Sequence, residues 1–345
     1  MKQILVLGGG GFIGRNIVSS LVEKGEAIVT AADIQEGSNW SKLANNKHTK
    51  DRFKSVIDDF TDIQAFNRLS QSFDEIYMLA AVVGVNRTLE NPQDVIRINT
   101  LLTMNTLDYI SRNPIKRLLF SSSSENYAGT SDLFNIEIPT PESVPLCIED
   151  VKHPRWTYAT TKMHGELAFF HSAQSLNYEC VIVRYQNIIG PEMGFGHAIP
   201  HICERFFKSN ESPFKIYGHD QTRAFCYIDD AVKGTIGAME SAKAKSQIYH
   251  IGMDEEINME TLTKYIGSLY DYSGEYDNAL TYPGSVSRRC PDIKKARNDF
   301  GYNPEISWKD SVRFTVEWYK EFFEQGNIPN KGGFRPPENF MKKDS

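Results

Sequence analysis

Apolar runs of strand length alternate with helix-length amphipathic stretches through the first half of the chain. Residues 4–7, 27–33, 53–57, 75–81, 117–121, 180–185 and 246–252 are compact and apolar, as suits buried strands. Between the first two runs, Ile17, Val18, Leu21 and Val22 share one helical face. Asn91-Pro92 opens a second helix that continues through Ile96, Leu101, Met104, Leu107 and Ile110. Strands alternating with amphipathic helices predict an α/β fold with a parallel, doubly wound sheet. Residues 34–51 are polar and irregular and read as a loop with one helical turn, and the proline-rich segment 130–154 reads as a loop over the sheet edge. Beyond Pro191 the alternation gives way to helices, aromatic residues and loops. The expected division is a Rossmann-type domain over 1–190, rejoined by a strand near 246–252. A smaller substrate-binding portion over 191–326 and an extended tail over 327–345 complete it.

In such sheets ligands bind outside the carboxyl ends of the strands, and the chemistry-bearing residues fall there. Gly8-Gly9-Gly10-Gly11-Phe12-Ile13-Gly14 follows the first strand and leads into the first helix. Its Gly8, Gly11 and Gly14 give G-x-x-G-x-x-G, a spacing that lets backbone amides approach a phosphate at a helix N-terminus. A plain flexible turn would read the same way taken alone. Asp33, 19 residues past Gly14, ends the second strand. A carboxylate there accepts from adenosine ribose hydroxyls and repels a 2′-phosphate, which favours NAD over NADP. Asp59 follows the third strand, where it either accepts from an adenine amino group or caps the next helix. Leu79, Ala80 and Ala81 end the fourth strand with small residues that let a cofactor pass closely.

Tyr158 and Lys162 stand at i and i+4 on a predicted helix and share a face. A phenol has a free pKa near 10 and is a poor base. A nearby ammonium stabilises the phenolate, which then takes a proton from a sugar hydroxyl. Four consecutive serines, Ser121 to Ser124, close the fifth strand.

Composition narrows this reading rather than changing it. The 345 residues carry a formal charge of -6, which argues against nucleic acid or an anionic membrane as the main partner. The five cysteines are scattered without a C-x-x-C, so neither a disulfide framework nor a metal site is expected. The chain runs straight into its first strand and has no apolar run of membrane-spanning length, so a cytoplasmic protein is expected.

Together the glycine loop, Asp33, Asp59, Leu79-Ala80-Ala81, Asn99, the Ser121–Tyr127 run, Tyr158 and Lys162, residues 184–191 and residues 222–230 resemble the extended short-chain dehydrogenase/reductases. Within them, the likeness is to the NAD-dependent nucleotide-sugar epimerase/dehydratase group, and it spans Lys2 to about Phe322. Leu7 departs from the threonine usual in that group. The resemblance implies a Rossmann fold, NAD bound by Gly8, Gly11, Phe12, Ile13, Gly14, Asp33, Asp59, Leu79–Ala81, Asn99, Tyr158 and Lys162, and a homodimer through helices around 92–112 and 156–174. It implies that Ser123 assists Tyr158 at the sugar C4. It also implies that Asn187, Arg223, Arg289 and the 192–200 loop with His197 contact the nucleotide sugar.

Members of the group begin alike, oxidising C4 to a 4-keto sugar, and diverge at C5 and C6. Aligned on Tyr127, this chain has Ser123-Ser124-Glu125. The 4,6-dehydratases have an Asp-Glu pair at the last two positions, and the common 4-epimerases generally lack the carboxylate. Ser124-Glu125, Arg155-Trp156 and Arg289-Cys290-Pro291-Asp292-Ile293 are most similar to UDP-glucuronate decarboxylases, whereas the loop 192–200 matches them poorly. The reaction expected from this resemblance is decarboxylation of a UDP-uronate. The 4- or 5-epimerisation of a nucleotide sugar, dehydration and a non-catalytic nucleotide-binding protein remain the alternatives.

Overall fold

The computed structural model describes residues 1–69, 72–134, 136–208, 211–279, 281 and 286–329, apart from the side chains of 85, 86 and 132. The expected tail lies outside the described residues from 330 onward. Strands β1 (Lys2–Leu7), β2 (Ala27–Asp33), β3 (Phe53–Ile57), β4 (Glu75–Met78), β5 (Arg117–Ser123) and β6 (Glu179–Tyr185) build most of one parallel sheet. Shorter strands follow: β7 (Ile188–Ile189), β8 (Phe214–Tyr217), β9 (Thr222–Ala224), β10 (Cys226–Tyr227), β11 (Gln247–Ile251), β12 (Glu256–Asn258), β13 (Tyr276–Ala279) and β14 (Arg288–Arg289). The main sheet has the order β11-β6-β5-β4-β1-β2-β3, and every neighbouring pair in it is parallel. The doubly wound sheet predicted from the alternation is therefore present, and residues 246–252 return to it as β11.

Helices α1 (Phe12–Lys24), α2 (Trp40–Asn45), α3 (Ile63–Asn67), α4 (Val85–Glu90), α5 (Pro92–Arg112), α6 (Ala128–Leu133) and α7 (Trp156–Ser175) connect the early strands. The later ones are α8 (Ala198–Lys208), α9 (Ile228–Glu240), α10 (Met259–Leu269), α11 (Lys294–Phe300) and α12 (Trp308–Glu324). Alternate strand residues face opposite sides of the sheet. Ile4 and Val6 join the core formed with α1 and α9, while Leu5 and Leu7 join the core formed with α5 and α7. Both faces are covered, which is why the strands read as unbroken apolar runs rather than alternating ones.

A third core gathers Phe214, Leu262, Ile266, Val312, Val316 and Tyr319 from the C-terminal part. The first core draws also on Cys226, Ile228, Ala231, Tyr249, Ile251, Ile293 and Ala296. The chain thus leaves the sheet after residue 190 and comes back to it twice. Strand β4 stops at Met78, three residues short of the apolar run; the Leu79 amide still donates to the Leu7 carbonyl at 2.9 Å before β1 turns away at Gly8. The segment 130–154 begins inside α6 and is then tied inward, with the Thr130 hydroxyl donating to the Pro145 carbonyl at 2.6 Å. Among the described residues no helix is long and apolar enough to cross a membrane.

Candidate active site

The sheet order reverses between β1 and β4, and the glycine loop and the segment after β4 meet at that point. Gly8 has φ +83°, and a Cβ there would lie 2.6 Å from the Ala80 amide nitrogen. A Cβ on Gly14 would lie 2.0 Å from the Gly8 carbonyl oxygen. Both positions need glycine so that the loop can fold onto itself and onto residues 79–80. Gly11 differs: a Cβ there would meet only the Gly8 carbonyl, at 3.4 Å. Its missing side chain leaves open space in front of α1. That helix has no side-chain cap and no acidic residue in its first turn, so its amides remain for an anion. Asp33 holds the loop from the second strand, its Oδ2 accepting from the Gly10 amide at 3.0 Å. Burial raises the Asp33 carboxyl above its usual range, against the lowering effect of that amide. The Trp40 indole donates to the Gly9 carbonyl at 3.2 Å from α2, a support not anticipated from sequence. An uncapped helix start, a side-chain-free cradle and a carboxylate at the end of the adjacent strand suit a dinucleotide.

Two of the predicted cofactor residues act on the protein itself. Asp59 Oδ1 accepts from the Thr61 amide at 3.0 Å and its hydroxyl at 2.8 Å, turning the chain ahead of α3, whose cap is Asp62 accepting from the Gln64 amide. Asn99 grips the strand-end segment, its Oδ1 accepting from the Val82 amide at 2.7 Å and its Nδ2 donating to the Val82 carbonyl at 3.2 Å. The same amide donates to Thr161 at 3.1 Å, so Asn99 positions residues 79–82 against α7.

Strand β5 ends at Ser123, whose Oγ accepts from the Glu125 amide at 3.1 Å and so turns the chain. Tyr158 stands in the first turn of α7, with the Ser123 side chain near enough to act on its phenol. Lys162 follows one turn later and is 4% exposed. Its ammonium donates to the Ser121 carbonyl at 2.7 Å and lies 5.0 Å from the Phe120 ring centroid. Burial pushes the Tyr158 phenol above its usual value, Ser123 opposing, and pulls Lys162 down to about 7, Glu166 opposing. Both side chains are thus driven towards their neutral forms by the same dry surroundings.

Glu125 stands beside this pair and meets two cations. Arg289 Nη1 donates to its Oε1 at 2.6 Å, and Arg155 Nη2 reaches its Oε2 at 3.5 Å. Burial opposes its charge, but the two guanidiniums outweigh burial and hold the carboxyl below its usual range. Arg289 also reaches the buried Ser124 hydroxyl at 3.4 Å. Positions 124, 125 and 289 therefore converge, with Arg155 joining them. Arg223 sits opposite Arg289 in the β9–β14 register and donates to the Thr222 carbonyl at 2.7 Å. Asn187 donates its amide to the Ala224 carbonyl at 3.0 Å. His197 is exposed, just before α8. Its loop is tied to α1 by Arg15, which donates to the carbonyls of Pro191 and Glu192 at 3.2 and 3.3 Å.

Beneath the serine turn lies a buried ion pair that sequence reasoning missed. Arg184 Nε and Nη2 grip Glu166 at 2.7 and 2.6 Å. Ser122 donates to the same carboxylate at 2.5 Å and Asn126 at 3.0 Å. The available signal was an arginine inside the apolar run 180–185 and a glutamate four residues after Lys162, since charges in such places need partners.

A family model matches residues 4–252. The chain belongs to the NAD dependent epimerase/dehydratase family. The cofactor of the family is NAD, and its members named below are enzymes. The UDP-N-acetyl-alpha-D-glucosaminuronate decarboxylase of Bacillus cytotoxicus is 28% identical, over 93% of this chain and 98% of the relative. The UDP-glucuronate 4-epimerase of Thermodesulfobacterium geofontis is 27% identical, over 94% of this chain and 98% of its own. Among solved structures, the UDP-glucuronic acid 4-epimerase of Bacillus cereus, in complex with UDP-glucuronic acid and NAD, aligns with a TM-score of 0.76 at 24% identity. It covers 93% of this chain and 99% of its own, and bears out the fold. The family's relatives at this level include decarboxylases and 4-epimerases, so family membership alone leaves the reaction open.

Proposed function

We propose that this chain is a cytoplasmic, NAD-dependent enzyme that oxidises a UDP-uronate at C4 and releases its C6 carboxylate as carbon dioxide. The observation that carries this reading is the cluster of Glu125 with Arg289 and Arg155, next to Ser124 and one turn from Ser123. Two guanidiniums against one carboxylate leave a net positive charge, which suits an anionic sugar substituent. Ser124 replaces the acid that a dehydratase needs, so elimination across C5–C6 lacks its proton donor.

In this reading residues 1–190 with β11 hold the cofactor, and the portion beyond 190 supplies most of the substrate side. Gly8, Gly11, Phe12, Ile13 and Gly14 receive the pyrophosphate, Asp33 the adenosine ribose, and Tyr158 and Lys162 the nicotinamide ribose. Leu79, Ala80 and Ala81 line the path between, Asn99 holds that wall, and Asp59 is assigned to the adenine end. Held by these residues, NAD would supply a hydride acceptor for C4 and a positive ring that would favour a charged phenolate. Tyr158 takes the C4 hydroxyl proton, with Ser123 fixing the orientation of the phenol. The 4-ketone makes the C6 carboxylate a β-keto acid, whose C5–C6 electron pair moves into the ring as carbon dioxide leaves. Arg289, braced by Glu125, orients that carboxylate, and a proton from solvent takes the place of the lost carboxylate at C5. Asn187, Arg223 and His197 are assigned to the nucleotide diphosphate and sugar. Exposed Ile96 and Met104 on α5 and Leu167 on α7 support a homodimer through these helices.

The second reading, inversion at C4 of a uronate, is supported by the poorly matching loop 192–200 and by the 4-epimerase relative. Incubation with NAD and UDP-glucuronate or UDP-N-acetylglucosaminuronate, followed by mass spectrometry, separates the two. Loss of carbon dioxide is expected. A product of unchanged mass with inverted C4 rejects decarboxylation in favour of epimerisation, and no product rejects both. Tyr158→Phe is expected to keep nucleotide binding and lose turnover.

A further inference from the structure

A histidine remote from the cluster in sequence, and absent from every role assigned above, connects its two halves. His250 lies on β11 and is fully buried. Its Nδ1 is 3.0 Å from the Asp292 carbonyl oxygen, and its Nε2 is 2.6 Å from the Tyr127 hydroxyl. A carbonyl only accepts, so Nδ1 carries the proton and Nε2 is the acceptor. Tyr127 must therefore donate to Nε2. It can do so because Arg184 Nη1 donates to the same hydroxyl and fills its acceptor side. The direction of every hydrogen bond from Arg184 through Tyr127 and His250 to Asp292 is thereby fixed. Arg184 is the partner of Glu166, which holds Ser122 and Asn126 in the catalytic turn. Asp292 is three residues beyond Arg289.

The backbone of the same histidine makes a second tie. Its amide donates to Glu142 Oε1 at 3.0 Å. Two residues earlier, Thr140 brackets the Arg289 segment, its amide donating to the Cys290 carbonyl and its carbonyl accepting from the Asp292 amide, both at 2.8 Å. One imidazole thus carries the Arg289 segment directly, and its backbone carries the loop that brackets that segment.

We infer that His250 is a positioning residue: through the ordered chain Arg184–Tyr127–His250–Asp292 it sets Arg289 opposite Glu125, and so tunes recognition of an anionic sugar substituent. This rests on the reading of Arg289 as the substrate-side cation. The neutral, Nδ1-protonated ring is the only form that satisfies both neighbours, because a charged ring would present a second donor to Tyr127. Burial pulls the ring down to about 3, so the arrangement holds throughout the neutral range.

His250→Phe keeps a planar aromatic ring, one atom larger, and removes both ring bonds, and Tyr127→Phe removes only the hydroxyl. Crystal structures of wild type, His250→Phe and Tyr127→Phe test the geometry without any assumption about the reaction. The expected result is an Arg289–Glu125 separation beyond hydrogen-bonding reach in His250→Phe and a smaller displacement in Tyr127→Phe. An ion pair that stays at its wild-type 2.6 Å in both variants overturns the inference. If His250→Phe does not fold, the Tyr127→Phe structure decides alone. Kinetics supply the second arm. KM for the UDP-uronate should rise about tenfold or more, the weight of a charge-assisted hydrogen bond, with a smaller change in kcat and none in NAD affinity. In an Arg289→Ala background, His250→Phe should add no further loss, because both act through one guanidinium. Losses that multiply in the double variant overturn it. If the wild-type protein acts on no uronate, the proposed reaction fails while the crystallographic arm still decides the role of His250.

Discussion

Replacing Lys162 by methionine should stabilise the nucleotide-free protein at neutral pH while abolishing turnover. The ammonium is 4% exposed, and burial pulls its pKa from 10.5 to about 7. The sign follows from linkage. The folded value is depressed, so between those two pH values the unfolded chain binds more protons than the folded one. The lysine therefore destabilises the fold fully below pH 7, and the penalty is relieved progressively as pH rises from 7 to 10.5. Linkage gives a penalty of about 4 kcal/mol at pH 7 and about 1 kcal/mol at pH 10. Methionine has similar length and no charge, but it loses the bond to the Ser121 carbonyl, which is worth about 1 kcal/mol. The net expectation for Lys162→Met is a gain of roughly 3 kcal/mol at pH 7 and nothing at pH 10. Thermal melts of both proteins, stripped of nucleotide, should show the variant several degrees higher at pH 7 and level with wild type at pH 10. Turnover of the UDP-uronate should fall to background. A variant that melts below wild type at pH 7, or a difference that does not shrink as pH rises, refutes the account of Lys162 as a buried charge held for function.

Further predictions concern the cradle and the buried pair. Gly14→Ala drives a Cβ to 2.0 Å from a backbone oxygen, so melting temperature and NAD affinity should both fall sharply. Gly11→Ala makes only an ordinary contact with protein, so its melting temperature should stay near wild type while NAD affinity, read by calorimetry, drops by an order of magnitude or more. Equal effects on fold and affinity in the two variants contradict the distinction. Glu166→Ala leaves the Arg184 guanidinium buried without its carboxylate, and denaturant melts should register a loss of about 3–5 kcal/mol. A loss under about 1 kcal/mol is the outcome that rejects this, since it is the size of an exposed pair.

What was legible in the sequence is what depends on neighbours along the chain. Alternation of strand and helix, the glycine spacing, Asp33 at a strand end and the Tyr158–Lys162 step on one helix turn all express backbone geometry, which repeats over a few residues. They determined the fold and the cofactor. The loop assigned to 130–154 began in a helix instead, and the bonds of Asp59 to Thr61 and of Asn99 to Val82 were not legible, because a lone polar residue does not announce its partner.

Only the tertiary structure decided which distant groups share one site. Glu125, Arg155 and Arg289 come from a strand end, a helix start and a C-terminal strand, and their spacing along the chain carries no trace of the contact. The same holds for Arg184 with Glu166, and for His250 between Tyr127 and Asp292. Ionisation also waited on the fold: burial, not residue type, drives Tyr158 and Lys162 towards neutrality, while paired guanidiniums keep Glu125 charged. A sequence specifies which charges exist, but the energy of each depends on the dielectric and the partners around it, and those are assembled only when remote segments pack together.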